Sequence, residues 1–257
     1  MYQQNNAERA GDSLKKTTLG DRFWQFVRFV VVTGMIFTLS FFAINFSAYR
    51  EILLNELNPK AQAQAEKALE VSITPKKAEL SSGKFLPVLP DTKDTRKVFD
   101  WVDFPIAPTD NRIIIPKLGK SIPIIEMGTE HIEGENWAEL EKQIQGGLQK
   151  GVVRYPGTAK AGQFGNIFIT GHSSYYPWDS GKFKDVFALL AKLESGDMFY
   201  IYSKQVKYSY RVYNKIEVQP TNVDVLFQPK DKKIATLMTC TPVGTALRRL
   251  IIQAEQV

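Results

Sequence analysis

A mainly β domain, barrel or sandwich, carried behind one transmembrane helix is what this 257-residue chain predicts, and three observations carry that expectation. From Thr109 onward, short β-branched runs alternate with turn residues, the pattern of an all-β core. Between Phe29 and Tyr49 no residue is charged, and the run has the roughly 20 residues a helix needs to cross bilayer hydrocarbon. Between Ile73 and Pro108 lie Pro75, Ser81-Ser82-Gly83, Pro87, Pro90, Pro105 and Pro108, a composition for extended linker rather than core. The chain therefore divides into a polar cytoplasmic tail (1–28), an anchor (29–49), a stalk and linker (50–108) and a folded domain (109–257).

Lys15, Lys16, Arg22 and Arg28 precede the apolar run, whereas Glu51, Glu56 and Lys60 mix behind it. The positive-inside bias then keeps the N-terminus cytoplasmic and sends the remainder out. A cleaved secretory leader is the competing reading, but Phe46-Ser47-Ala48 sets a bulky residue where small-x-small is wanted. Arg50 to about Glu70 holds Ala61, Ala63, Ala65 and Ala68 and favours helix, with Pro59 at a start or a break. In the domain, 112–115, 121–125, 165–170, 198–203, 207–218, 234–240 and 249–253 read as strands. Helical spacing marks 135–145 (Trp137, Leu140, Ile144) and 183–193 (Phe183, Val186, Phe187, Leu190). The net charge of +6 suits an acidic envelope or lipid headgroups. Export disfavours nucleic acid as a partner.

Cys240 is the single cysteine, and it closes Thr236-Leu237-Met238-Thr239-Cys240 just before Thr241-Pro242. It cannot be half of an internal disulfide, and oxidising compartments favour even cysteine counts. A thiolate at a strand end is a candidate nucleophile toward carbonyl carbon; a small buried hydrophobe is the alternative. Two histidines compete as proton carriers. His172 follows the strand Ile167-Phe168-Ile169-Thr170 and Gly171, whereas His131 sits among Glu130, Glu133 and Glu135. The strand-end residue suits proton transfer to a leaving amine, and a structural histidine capping a turn is the other reading. Arg248 and Arg249 can supply donors for a developing oxyanion, and strand alternation lets at most one face the sulfur.

These residues resemble a sortase, the membrane-anchored cysteine transpeptidases of bacterial envelopes. The family's Thr-Leu-x-Thr-Cys at a strand end, with Arg on the next strand, is met by Thr236–Cys240 and by Arg249-Leu250-Ile251-Ile252. Its Gly-His after a hydrophobic strand is met by Gly171-His172. The approach to that strand is similar to Tyr155-Pro156-Gly157-Thr158-Ala159, Gly162 and Gly165-Asn166, and the opening Arg112-Ile113-Ile114-Ile115-Pro116-Lys117-Leu118-Gly119 resembles the family's first strand and turn.

The resemblance implies a closed eight-stranded β-barrel with short helices behind one N-terminal transmembrane helix. His172, Cys240 and Arg249 would line one groove as the catalytic residues, with Thr239 beside them positioning substrate. The chemistry implied is cleavage of a Leu-Pro-x-Thr-Gly-like sorting signal on an exported protein and transfer of that protein, through a thioacyl intermediate, to an amine of a cell-wall precursor or a pilin lysine. No cofactor and no metal are implied. The place implied is a single-pass membrane protein with its catalytic domain outside. Asp100-Trp101 offers a faint acidic-aromatic lid, and Tyr175-Tyr176-Pro177-Trp178 either walls the groove or packs a loop. The subclass stays open. The alternatives are a non-catalytic envelope-binding module on the same barrel, or another exported cysteine peptidase. Papain-like enzymes set cysteine before histidine, and L,D-transpeptidases use a Ser-x-Gly-Cys context absent here.

Overall fold

A computed structural model describes residues 19–73, 107–127, 137–179 and 181–257. His131, Glu130, Glu133, Glu135 and the Asp100-Trp101 pair lie outside the described residues. Eight strands follow in order: β1 (Arg112–Ile115), β2 (Lys120–Glu126), β3 (Val152–Arg154), β4 (Gly165–Thr170), β5 (Met198–Ser203), β6 (Val206–Val218), β7 (Lys233–Thr241) and β8 (Arg248–Gln256). They close into a barrel in the order β1-β2-β3-β4-β7-β8-β6-β5. The pairs β2/β3 and β4/β7 are parallel and the others antiparallel.

The period of two along each strand decides what fills the barrel. Ile113 and Ile115, Ile122 and Ile124, Ile167 and Ile169, Ala235 and Leu237, and Leu250, Ile252 and Ala254 all join one buried cluster. Removal of that much branched apolar surface from water is the main term holding the barrel closed. β3 is the strand the sequence pattern does not reveal. It is three residues long and buried at each one, so it has no alternation to read.

Helices precede and interrupt the strands along the chain. α1 (Leu19–Ile44) forms a unit by itself; its 26 residues extend roughly 39 Å at 1.5 Å each. It is long and apolar enough to cross a membrane, and it starts well before the uncharged run does. The run expected to reach Tyr49 in one piece divides at Asn45, after which α2 (Phe46–Leu57) and α3 (Pro59–Ile73) belong to the unit spanning 44–257.

These two helices lie on the barrel instead of standing off it as a stalk. Ala48 is wholly buried, and Ile52 packs against the barrel core. Glu51 pairs with Lys120, Glu56 with Lys192 at 2.6 Å, and the Gln62 amide donates to the Lys117 carbonyl at 2.6 Å. At the far end Ile73 is buried with Ile114 and Tyr202.

α4 (Trp137–Leu148) covers β3 through Leu140, Ile144 and Leu148 packed on Val153. Gly146-Gly147 reads as a helix stop, yet the helix runs through both. A Cβ on Gly147 would stand 2.8 Å from the Val153 side chain, so the glycine serves close helix-strand approach. The stretch 183–193 is a series of tight turns ending in a 3-10 turn at Leu190–Lys192 rather than an α-helix. Its amides reach back three residues, Ala188 to Asp185 and Leu190 to Phe187, and the Phe187 amide is diverted to the His172 carbonyl at 2.9 Å.

Candidate active site

β4, β7 and β8 are neighbours in the barrel. Cys240 is directly opposite Arg249 in the antiparallel β7/β8 pair, so both side chains leave the same face with Cβ atoms about 5 Å apart. On the other side of β7, the parallel register sets Thr170 opposite Met238. The Gly171 amide continues it by donating to the Met238 carbonyl at 3.1 Å. Two residues beyond Thr170 is His172, and two beyond Met238 is Cys240, so the backbone of His172, just past the end of β4, continues level with Cys240 on β7. Interior positions on the three strands are Ile167 and Ile169, Ala235 and Leu237, and Leu250 and Ile252. By alternation, Cys240 and Arg249 share the outer face, and His172 follows just past the end of β4, the strand on the other side of β7. All three are half-buried.

His172 is held from several directions. Its ring stacks on Tyr175 with centroids 4.4 Å apart and planes at 25°. Gly171 makes the fit possible, because a Cβ there would come within 2.6 Å of the Phe187 ring. Burial holds the His172 pKa below its ordinary value near 6.5, and the Asp179 carboxylate acts in the opposite sense. The ring is therefore neutral at pH 7. Asp179 is itself fixed by the Gln149 side-chain amide at 3.1 Å and the Gly181 backbone amide at 2.8 Å.

Arg249 Nη1 donates to the Ala246 carbonyl in the loop between β7 and β8 at 3.1 Å and to the Arg248 carbonyl at the start of β8 at 3.3 Å. Arg248 stands opposite Thr241 and approaches Glu217 at 3.9 Å with its side chain about half exposed. The alternation anticipated between the two arginines thus leaves Arg249 on the outer face with the thiol. Thr239 is not on that face. It is 3% exposed on the inward face of β7, and its hydroxyl donates to the Gly171 carbonyl at 2.8 Å. Alternation, which puts Cys240 outward, turns Thr239 away from the groove.

Beyond His172 the aromatic run continues outward: Tyr176 and Trp178 stack at 5.0 Å and 16°, and both are exposed. One residue of the surroundings carries no sequence signal at all. Gln228, an ordinary loop glutamine, donates to the Asn166 and Leu226 carbonyls and accepts from the Asn166 and Ala159 amides. It ties two loops to the start of β4. A cysteine with an arginine directly opposite and a histidine just past the neighbouring strand has the parts for acyl transfer.

The model of the Sortase domain matches residues 113–257, more than half of the chain. The chain belongs to the sortase family. That family consists of cysteine transpeptidases. This sortase is 26% identical over 149 residues to Sortase A of Bacillus anthracis, a match covering 57% of this chain and 59% of that one, so it takes in less than two thirds of that relative. Among solved structures, a Sortase D5 transpeptidase of Clostridium perfringens is 26% identical, with 58% of this chain and 79% of that one covered at a TM-score of 0.45. Sortase C-1 of Streptococcus pneumoniae is 24% identical, with 57% and 66% covered at a TM-score of 0.46.

Proposed function

We propose that this sortase is a membrane-anchored cysteine transpeptidase that cuts a Leu-Pro-x-Thr-Gly-like sorting signal and hands the exported protein to an amine. Cys240 opposite Arg249 on the β7/β8 pair, with His172 just past the end of the neighbouring β4, is the observation that supports this reading. The Cys240 thiol passes its proton to the neutral His172 imidazole, and the thiolate attacks a backbone carbonyl carbon. Arg249 holds the resulting oxyanion with its N–H donors. When the C–N bond breaks, His172 returns the proton to the departing amine, leaving a thioester on Sγ. An incoming amine gives its proton to His172 as it attacks the thioester, and the thiolate leaves as the new amide forms.

Thr239 acts from inside the barrel, holding the Gly171 carbonyl and so the strand end that carries His172. α1 is the anchor, with the N-terminus cytoplasmic and the barrel outside. The acceptor is an amine of a cell-wall precursor or a pilin lysine. The test is to incubate the full chain in detergent micelles with a degenerate Leu-Pro-x-Thr-Gly peptide library and several amines, and to read products by mass spectrometry. The expected result is a thioacyl adduct on Cys240, amide products with an accepted amine, and neither with Cys240→Ala. A wild-type protein that forms no adduct would sink the reading.

A further inference from the structure

We propose that α2 sets the position of Arg249 through the loop joining β7 and β8, which makes Tyr49 a positioning residue for the transfer reaction although it lies outside the barrel. The inference rests on reading Arg249 as the group that holds the substrate carbonyl. Four contacts in series carry it. The Tyr49 hydroxyl donates to the Val243 carbonyl at 3.1 Å. At the next residue, Gly244 has φ +86°, and a Cβ there would stand 2.8 Å from Asn45 Cγ, so the buried Asn45 side chain lies flat against the loop backbone. Thr245 closes the turn, its amide and its hydroxyl both donating to the Pro242 carbonyl at 3.0 and 2.8 Å. The Ala246 carbonyl then accepts from Arg249 Nη1 at 3.1 Å.

The support at the other end is firm. α2 is seated by the fully buried Ala48, by Ile52 against the barrel core and by the Glu51–Lys120 pair. A short hairpin loop with exposed neighbours such as Leu247 would otherwise move freely. Oxyanion stabilisation depends on donors already in place, and a displacement of about 1 Å can cost a hundredfold in rate. Holding the loop from α2 keeps the guanidinium within reach of the carbonyl bound at Cys240. The same loop carbonyl competes for Nη1, so the loop position also decides how readily Arg249 is released to substrate.

The test uses the full chain in detergent with Tyr49→Phe, which keeps the ring and removes the donor, and Gln62→Leu, which breaks a different contact between these helices and the barrel. Cys240 is alkylated in parallel with iodoacetate and with iodoacetamide, and the ratio of the two rates reports a guanidinium beside the sulfur without requiring turnover; Arg249→Ala gives the floor. The expected result for Tyr49→Phe is a ratio moved toward that floor, and a kcat on the sorting peptide about fivefold lower, from loss of one hydrogen bond, with KM within about twofold. Gln62→Leu is expected to keep both at wild-type values. A wild-type ratio in Tyr49→Phe overturns the proposal, and so does an equal fall in Gln62→Leu, which would reduce the effect to loosened packing. If no variant cleaves peptide and yet the ratio falls only in Tyr49→Phe, the placement of Arg249 by α2 is supported and the transpeptidase reading is what fails.

Discussion

Arg249 meets Cys240 across a hairpin whose strands follow each other directly, whereas His172 meets it across a parallel pair whose strands are separated in sequence by β5 and β6. The two flanks are also finished differently. On the histidine side the backbone is clamped by the Phe187 amide, the Thr239 hydroxyl and the close packing at Gly171, and the ring is desolvated. On the arginine side the guanidinium leans on the Ala246 carbonyl of the loop and the Arg248 carbonyl at the start of β8. Proton transfer needs a fixed distance and a tuned pKa, and burial supplies both. Holding an anion needs donors already in place when the carbonyl arrives, which a loop-borne contact supplies only if the loop itself is held.

Substitutions on each flank should separate these roles, and the largest effect is expected where chemistry is removed outright. His172→Ala should lower kcat/KM on a quenched sorting-signal peptide by about 10²–10⁴-fold. Arg249→Lys should lower it by about 10²–10³-fold, because an ammonium cannot reproduce the guanidinium fork. Arg248→Lys should stay within about twofold, and equal losses for the two arginines would break the assignment.

Next in size is the clamp behind the histidine. Thr239→Val keeps the volume but leaves the Gly171 carbonyl without that donor, so urea denaturation should show a loss of about 1–3 kcal/mol. Its hydroxyl faces inward, and the alkylation rate of native Cys240 should change far less than stability does. A variant as stable as wild type would show that the clamp is idle.

The smallest expected effect is on proton affinity. Asp179 raises the His172 pKa against the stronger lowering by burial, so Asp179→Asn should move the His172 ring titration, followed by NMR, to lower pH. An unchanged or higher midpoint would remove Asp179 from the site's electrostatics. The linkage has a definite sign. A histidine whose folded pKa lies below its unfolded value near 6.5 binds fewer protons when folded, so stability falls as pH drops from there to the folded value. Asp179→Asn should widen that window downward.

Much of this site could be read before any coordinates. The strand ending at Cys240 and the alternation of Arg248 and Arg249 express a period of two, the single cysteine is a matter of count, and Gly171-His172 and the choice of Arg249 come from the family resemblance. Four things could not be read that way. β3 is too short to show a period, and it is recognised only once β2 and β4 flank it. Residues 183–193 carry helical spacing because Val186, Phe187 and Leu190 must all be buried, but the Phe187 amide is taken by His172, and the segment folds as turns. Thr239 belongs to the same motif as Cys240, and motif membership says nothing about which face a residue takes. The docking of α2 and α3 was hidden for a related reason: a charged helix such as α2 or the alanine-rich α3 looks the same whether it stands free or lies on a barrel, and Glu51, Glu56 and Gln62 find their partners only in three dimensions.

The parallel β4/β7 pair also has a consequence for how the molecule comes into being. The contact between Thr239 and Gly171 joins residues 68 apart in sequence, whereas Cys240 and Arg249 lie on consecutive strands. Closing the longer stretch costs more chain entropy, and non-local pairings of this kind slow folding. Those costs predict that the β7/β8 hairpin carrying Cys240 and Arg249 forms before the β4/β7 pair that brings His172 to it. A chain caught before barrel closure would then hold the sulfur beside Arg249 with His172 still remote, because that last juxtaposition needs the native topology.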